Sequence, residues 1–377
     1  MKLALATDWY LPRLGGVELH IADLAKALRA SGAEVMVITT TPGPADSEGR
    51  VRRLRTLQLP PFQLAVSPRL VAMLKAEFAD GGYDAVHAHI SVMSPVGYGA
   101  VLAAHALGLP TVVSFCGVLL RSADFLRVTD RFLQWSRWPI VVTAVSGAIA
   151  AQLRKAVPGL DVSILPNGVD VNFWQAPAAA RADGDIVAMT AMRLTRKKRP
   201  EAMLRAFFRA HAAAARRGRR LVLRVAGEGP LRAPLERYVS AQGLSGEVEF
   251  LGAVPRNILA QLYRRADMFL LPSINESFGI AALEARCAGL PVIGMRASGI
   301  VEFLRDGETG LLADDDAGFA RHLERLALDD DLRRRLAQSD PDVARFDWPN
   351  VAATHLAHYA RAMALAPRHR ENQRAGA

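Results

Sequence analysis

Apolar residues along the 377-residue chain fall into short blocks, and the stretches between them repeat at helical spacing. In the first half, residues 2–7, 34–39, 84–89, 110–115 and 141–145 read as strands. Between the first two, Val17, Ile21, Leu24 and Leu28 recur at helical spacing, and Gly32 is placed to end that helix. Ser146 is placed to cap the helix after the fifth strand. The second half repeats the style, without detectable sequence repetition, at 186–191, 221–226, 248–255, 268–272, 291–294 and 307–312. Strands alternating with helices predict an α/β class of parallel, doubly wound sheets.

The length exceeds what one core usually supports, so two domains are expected. Pro166 and Gly168 mark a bend, and the Ala-rich stretch 177–184 reads as linker. The first domain is therefore set at 1–165 and the second at 166–347, with a last helix over 348–364 and a polar tail over 365–377. Residues 96–120 contain no Asp, Glu, Lys or Arg and are long enough to span a membrane. Gly108 and Pro110 split them into a helix and a strand, which argues against a span.

Composition narrows the partners. Hydrophobic residues make up 51%, ample for real cores, and the two cysteines, Cys116 and Cys287, offer no disulfide framework and no metal set. That usage fits a reducing cytoplasm, and no secretory signal is expected at the start. A net charge of +10 calls for an anionic partner: a sugar nucleotide, an anionic lipid or a nucleic acid. The charge is spread over several clusters and no nucleic-acid motif appears, so nucleic acid is not expected. Arg50, Arg52, Arg53 and Arg55 precede Leu59-Pro60-Pro61-Phe62 and read equally as a membrane or acceptor-phosphate surface and as a solvated strand face. Residues 121–138 mix Phe125, Phe132, Trp135 and Trp138 with Arg121, Arg127, Arg131 and Arg137, where core packing competes with an interface.

The densest chemistry lies at Glu276-Ser277-Phe278-Gly279-Ile280-Ala281-Ala282-Leu283-Glu284. Gly279 opens a helix that is apolar or small nearly all round, which means burial. A buried carboxylate needs a partner, so Glu284 is expected to bind something. Glu276 stands beside the free N–H groups of a helix start, which attract anions. Two carboxylates for hydroxyls around a backbone cradle for phosphate would suit a nucleotide sugar. A capping Glu and a solvated Glu are the plain alternative. Gly15 and Gly16 stand in a strand–loop–helix arrangement that suits either phosphate approach or a tight turn. The cationic stretch 193–199 follows a strand at the usual ligand crevice and could neutralise a leaving pyrophosphate. A dinucleotide fingerprint at Gly227-Glu228-Gly229 would want a third glycine where Arg232 stands. His87 and His89 share a strand face, but no third ligand stands near, so no metal is expected; His89, at the strand end, is a candidate cleft residue.

Glu-x7-Glu after a strand ending Leu-Pro-Ser, with Phe-Gly inside, resembles the retaining GT-B glycosyltransferases of family 4 (glycosyl transferases group 1), and the resemblance runs nearly the whole chain. It includes the phosphatidylinositol glycan and mannosyltransferase type of that family. It implies two Rossmann-like domains facing a central cleft, with the last helix crossing back to the first domain. It implies a nucleoside diphosphate sugar donor, a hydroxyl acceptor (lipid-linked, a glycan or a small polyol), no cofactor and no metal. By it, Glu276, Arg193 and Lys198 are the catalytic set, with Glu276 and the N–H groups of Phe278 and Gly279 on the sugar. Glu284 takes the ribose, and Gly15, Gly16, Gly227, Val254 and Ser277 complete the donor site. This chain departs from the family at two places: Cys116 stands where members carry a histidine near the sugar, and Arg199 where they carry glycine. The expected location is cytoplasmic, peripheral on the inner face of the membrane if the acceptor is a lipid. A GT-B phosphorylase or epimerase, or a catalytically silent nucleotide-sugar-binding protein, is the alternative reading.

Overall fold

The computed structural model describes residues 1–377 apart from 14, 45, 60–63, 92, 119–121, 176–183, 338–340 and 367–377. Pro60, Pro61, Phe62 and Arg121, the linker up to Gly184 and most of the polar tail therefore lie outside the described residues.

The chain divides into two units, Met1–Gly168 with Trp348–Ala377, and Val169–Asp347. The first division falls three residues beyond the position expected from sequence because those residues are still held by the first unit. The Leu165 N–H donates to the Ala144 carbonyl, and a Cβ on Gly168 would run into the Trp348 ring. Val169 is the first to turn to the second unit, donating to the Phe346 carbonyl.

In the first unit the strands are β1 (Lys2–Thr7), β2 (Glu34–Thr39), β3 (Val51–Arg53), β4 (Leu57–Leu59), β5 (Leu64–Val66), β6 (Ala85–Ile90), β7 (Thr111–Phe115), β8 (Ile140–Ala144) and β9 (Ser163–Ile164). The helices are α1 (Gly16–Ala30), α2 (Leu70–Gly81), α3 (Pro95–Ala106), α4 (Ser122–Leu133) and α5 (Gly147–Ala156). Seven strands form a parallel sheet in the order β3-β2-β1-β6-β7-β8-β9, and β4 pairs antiparallel with β5. Every residue of β1 after Lys2 is buried, as strands covered on both faces require. Leu3 and Leu5 meet Ile21, Leu24 and Leu28 of α1 in one core.

The second unit runs α6 (Val171–Trp174), β10 (Ile186–Ala191), α7 (Pro200–Ala215), β11 (Leu221–Ala226), α8 (Arg232–Ala241), β12 (Val248–Gly252), α9 (Arg256–Tyr263) and β13 (Met268–Leu271). It continues with α10 (Ile280–Cys287), β14 (Val292–Met295), β15 (Gly310–Ala313), α11 (Asp316–Leu328) and α12 (Asp330–Leu336). Its sheet has the order β12-β11-β10-β13-β14-β15, parallel throughout. Leu221, Leu223 and Val225 pack with Met203 and Phe207 of α7 and Phe319 of α11.

The final helix, α13 (Trp348–Leu365), belongs to the first unit, where Ala352, Tyr359 and Ala362 join the core of Leu3 and Leu5. In both sheets the strand order reverses beside the first strand, β1 in one and β10 in the other. That reversal is the topological point where parallel sheets open a crevice at their carboxyl ends. The charge-free stretch 96–120 contains α3 and β7, and no helix among the described residues is long and apolar enough to cross a membrane.

Candidate active site

At the carboxyl edge of the second sheet, the loops after β10 and β11 are packed tightly together. A Cβ on Gly227, whose φ is +130°, would run into the Met192 carbonyl oxygen, and one on Gly229 into that of Leu194. The Leu194 N–H donates to the Glu228 carbonyl at 2.8 Å. These glycines therefore let two loops touch, which is reason enough for them whatever else they border. Arg232, where a third glycine would stand, pairs with Glu228 and with Glu236. At the end of β12, Gly252 takes φ +70° and accepts from the Gly227 N–H at 2.7 Å, and the chain then turns through Val254 and Pro255.

The loop after β13 carries Glu276. Lys198, at the end of the β10 loop, places its Nζ 2.5 Å from Glu276 Oε2, with both side chains mostly buried. Ser273 Oγ donates to the Lys198 carbonyl at 3.4 Å, a second tie between the two loops. The Gly299 N–H donates to the Glu276 carbonyl at 2.8 Å, and a Cβ on Gly299 would run into the Ser277 carbonyl, so the Glu276 loop is braced from behind. Gly279, with φ +90°, then caps the start of α10, a conformation that costs an L side chain about 1–2 kcal/mol. Phe278 is buried among Phe303 and Phe346 and fixes the start of the helix.

Glu284 is 9% exposed, and Oε1 lies 3.5 Å from the Arg256 guanidinium. Arg256 in turn lies over the rings of Phe173 at 5.7 Å and Trp174 at 5.5 Å. The partner that burial demands is thus already supplied by the protein, and burial alone does not call for a ligand here. Arg193 is exposed, and its guanidinium has no partner among the described residues. Arg199 takes φ +58°, the left-handed region that glycine occupies readily, which is the physical meaning of the departure noted in the sequence. Its guanidinium donates to the Pro272 carbonyl at 3.1 Å and to Asp316 Oδ1 at 2.5 Å.

In the first unit the expected glycine loop lies between β1 and α1. The position a Cβ of Gly15 would take is crowded by the carboxylate of Glu18, a buried residue that meets Arg13 Nε at 2.9 Å. The start of α1, where Gly16 stands, is therefore met by a carboxylate of its own helix. Asp8, just past β1, accepts from the Val96 N–H at 2.9 Å at the start of α3. Burial pushes the Asp8 carboxyl up to about 6 against the pull of its hydrogen bonds. His89 and Cys116 line one small concavity with Asp8, Trp9 and Ser94. Cys116 Sγ is 3.9 Å from His89 Nδ1, and burial pushes the thiol up to about 12, which disfavours the thiolate. His89 Nε2 is buried without a partner among the described residues. His87 shares the strand face of His89, with ring centroids 4.0 Å apart, but it is bonded to Tyr359 at 2.8 Å and Ser114 at 2.7 Å.

The structure therefore brings Lys198 to Glu276, Glu284 to Arg256 and His89 to Cys116. Sequence reasoning missed the first pairing, the anchoring of Arg199, and the places of Asp8 and Arg256. An Asp closing the first strand was a readable signal for Asp8. Nothing local marks Arg256, which meets Glu284 only through the fold.

Two family models match the chain: Glycosyltransferase Family 4 over residues 14–173, and Glycosyl transferases group 1 over residues 173–342. Among curated relatives, a D-inositol 3-phosphate glycosyltransferase of Nocardioides is 29% identical, with 93% of this chain and 86% of that protein covered. A phosphatidyl-myo-inositol mannosyltransferase of Mycobacterium leprae is 28% identical, covering 95% of this chain and 96% of that one. Among solved structures, sucrose-phosphate synthase of Thermosynechococcus elongatus superposes with a TM-score of 0.76 at 22% identity, covering 96% of this chain and 99% of that one. Anabaena HepE, solved with UDP and glucose, gives a TM-score of 0.73 at 20% identity, with 95% and 99% covered. These likenesses fix the fold as GT-B.

Proposed function

Because the chain belongs to the group 1 glycosyltransferases of family 4, enzymes that pass a sugar from a nucleotide sugar to an acceptor, we propose that it is a retaining transferase whose donor site is the Glu276 loop. The observation that carries this reading is the contact of Lys198 with Glu276 at the carboxyl edge of the second sheet. In the free protein the two charges hold each other in place. A bound nucleoside diphosphate sugar offers each a better partner: the ammonium turns to the pyrophosphate, and the carboxylate accepts from sugar hydroxyls. Arg193, exposed on the same loop, adds a second cation to the phosphates. Charge building on the leaving phosphate is where preorganised cations contribute most to rate.

The remaining roles are those that the likeness to the family supports. Backbone N–H groups of Phe278 and Gly279 at the start of α10 face the anion, and Ser277 lies between them and Glu276. Glu284, held by Arg256, accepts from the ribose hydroxyls. Gly227 and Val254, on the turns after β11 and β12, border the nucleoside. In the reaction the bond from the anomeric carbon to the phosphate oxygen breaks and a bond to the acceptor oxygen forms on the same face. The acceptor's proton passes to the leaving phosphate, so no protein nucleophile is needed.

The acceptor we propose is the hydroxyl of an inositol phosphate, free or lipid-linked, because the relatives that cover most of the chain are named for such acceptors. The lipid-linked form is favoured by α4, where Phe125, Val128 and Phe132 form an exposed apolar stripe beside Arg127 and Arg131. The test is nucleotide release from UDP-glucose, UDP-N-acetylglucosamine and GDP-mannose, each with D-inositol 3-phosphate or phosphatidylinositol vesicles. Release that depends on one of these acceptors is expected. Release with neither, or sugar 1-phosphate formed from donor and phosphate, would overturn the reading.

A further inference from the structure

Arg199 holds a conformation that disfavours every residue except glycine and a few short polar ones, at the junction between the Lys198 loop and α7. A glycine there would relieve the backbone, so whatever keeps an arginine must come from its side chain. The guanidinium reaches across the carboxyl edge of the sheet. It donates to the carbonyl of Pro272, which follows β13 directly and stands four residues before Glu276, and to Asp316 in the first turn of α11. Its side chain is 24% exposed: the bond to Pro272 is partly buried, whereas the one to Asp316 lies at the surface. The neighbouring Lys198 is tied to the same strand end by Ser273 and reaches Glu276 with its ammonium.

We propose that Arg199 is a positioning residue for the transfer reaction: it clamps the Lys198 loop to the strand that carries Glu276. The inference rests on the reading of Lys198 and Glu276 as the donor site. In the free protein the Lys198–Glu276 contact itself holds the two loops together. When a pyrophosphate draws the ammonium away, that tie is lost and the Arg199 clamp remains. It keeps the Lys198 backbone in register while the side chain changes partners. Arg199 touches none of the reacting atoms and acts through where it leaves Lys198.

Arg199→Gly separates the side chain from the backbone, because glycine takes this φ freely and the variant is expected to fold with an unchanged melting temperature. With whichever of UDP-glucose, UDP-N-acetylglucosamine or GDP-mannose the wild type turns over, kcat should fall about 10- to 100-fold, the scale of a misplacement near 1 Å. The donor KM should move less than about threefold, because ground-state contacts are kept. Asp316→Ala, which removes one anchor of the clamp, should lower kcat in the same direction by less. The decisive comparison is a cycle with Lys198→Ala: once the ammonium is gone, Arg199→Gly should cost less than about threefold. Equal losses in both backgrounds, or full kcat in Arg199→Gly, would overturn the clamp. A Lys198→Ala variant with wild-type turnover would instead overturn the donor-site reading beneath it.

Discussion

Both units wind helices around a parallel sheet whose order reverses beside its first strand, yet they place their polar groups in opposite ways. In the second unit charged groups stand in pairs on loops and helix starts at the carboxyl edge: Lys198 with Glu276, Arg199 with Asp316, Arg232 with Glu228. In the first unit the polar groups are imidazoles buried on β6, α1 and α13. His20, His87, His89 and His355 are all buried there, close enough that His87 meets both His89 and His355 ring to ring. The second unit buries no histidine among its described residues. Groups on loops can change partners when a ligand arrives, whereas groups inside a core cannot without unfolding it. The difference teaches that residue type alone does not mark a site on this fold; the element that carries the residue does.

The largest effect should come from acid, which attacks only one side of the comparison. Burial holds the imidazoles below their ordinary value of 6.5: His89 at about 3, His355 at about 4, and His20 and His87 well down. The unfolded chain takes up these protons near pH 6.5 while the folded unit refuses them, so stability falls as pH drops from about 6.5 toward 4. Asp8 works the other way: its raised carboxyl favours the folded state at low pH, and that contribution is lost as pH rises through about 6. Four imidazoles oppose one carboxyl, each changing stability by about 1.4 kcal/mol per pH unit within its window. The first unit should lose on the order of several kcal/mol between pH 7 and 5, comparable to the whole stability of a domain. Hydrogen exchange should show β1, β6 and α13 losing protection at pH 5 while β10, β11 and β13 keep theirs. Equal loss in both units would break the contrast.

Two substitutions sharpen the other side. Glu276→Gln keeps the shape of the loop and removes the charge that Lys198 holds. Turnover should fall by about 10²–10³, with nucleotide affinity within a few-fold, as expected of a group that acts mainly in the transition state. A wild-type rate would remove Glu276 from the reaction. Glu284→Ala should instead raise the donor KM about tenfold, the scale of a hydrogen bond to a charged group, with kcat nearly kept. An unchanged KM in a folded protein would leave Glu284 as no more than the partner of Arg256.

The same contrast explains what could be read from the sequence. The strands at 186–191 and 221–226 matched to the residue, because apolar runs buried on both faces leave little freedom. The Glu276 segment was legible because strand, turn and helix start follow one another locally. Glu284 was legible as buried, since an apolar helix surrounds it, but its partner was not. Arg256 reaches it from another helix, across a distance no local pattern encodes. His87 and His89 could be placed on one face by alternation, but whether that face was a site or a core depended on α13, which arrives from the far end of the chain. Arg199 was visible as an unusual residue, and only the positive φ and the two distant acceptors say what it does.

The smallest effect tests whether the first unit has a working surface at all. Of the four arginines that suggested one, Arg50 pairs with Glu48 and Arg52 with Glu77, and Arg53 donates to the carbonyls of Leu11 and Thr41. Arg53 is thus a brace for the loop after β1, and changing all four would damage the fold. The stronger candidate is α4. Leu126 is buried on its inner side, whereas Phe132 is 77% exposed, Val128 53% and Phe125 49%. Those three follow at i, i+3 and i+7, one face of a helix. Three exposed apolar side chains in a row are costly in water and suit insertion among lipids, with Arg131 and Arg137 supplying about 1 kcal/mol each near an anionic surface. Phosphatidylglycerol vesicles should therefore sediment with the protein at low salt. Part of the binding should disappear as salt screens the arginines, and part should remain. Changing Phe125, Val128 and Phe132 to Ser should remove the salt-resistant part alone. If wild type ignores these vesicles at low salt, or the triple variant binds as wild type does, the stripe is not a membrane face, and a free inositol phosphate becomes the acceptor to test.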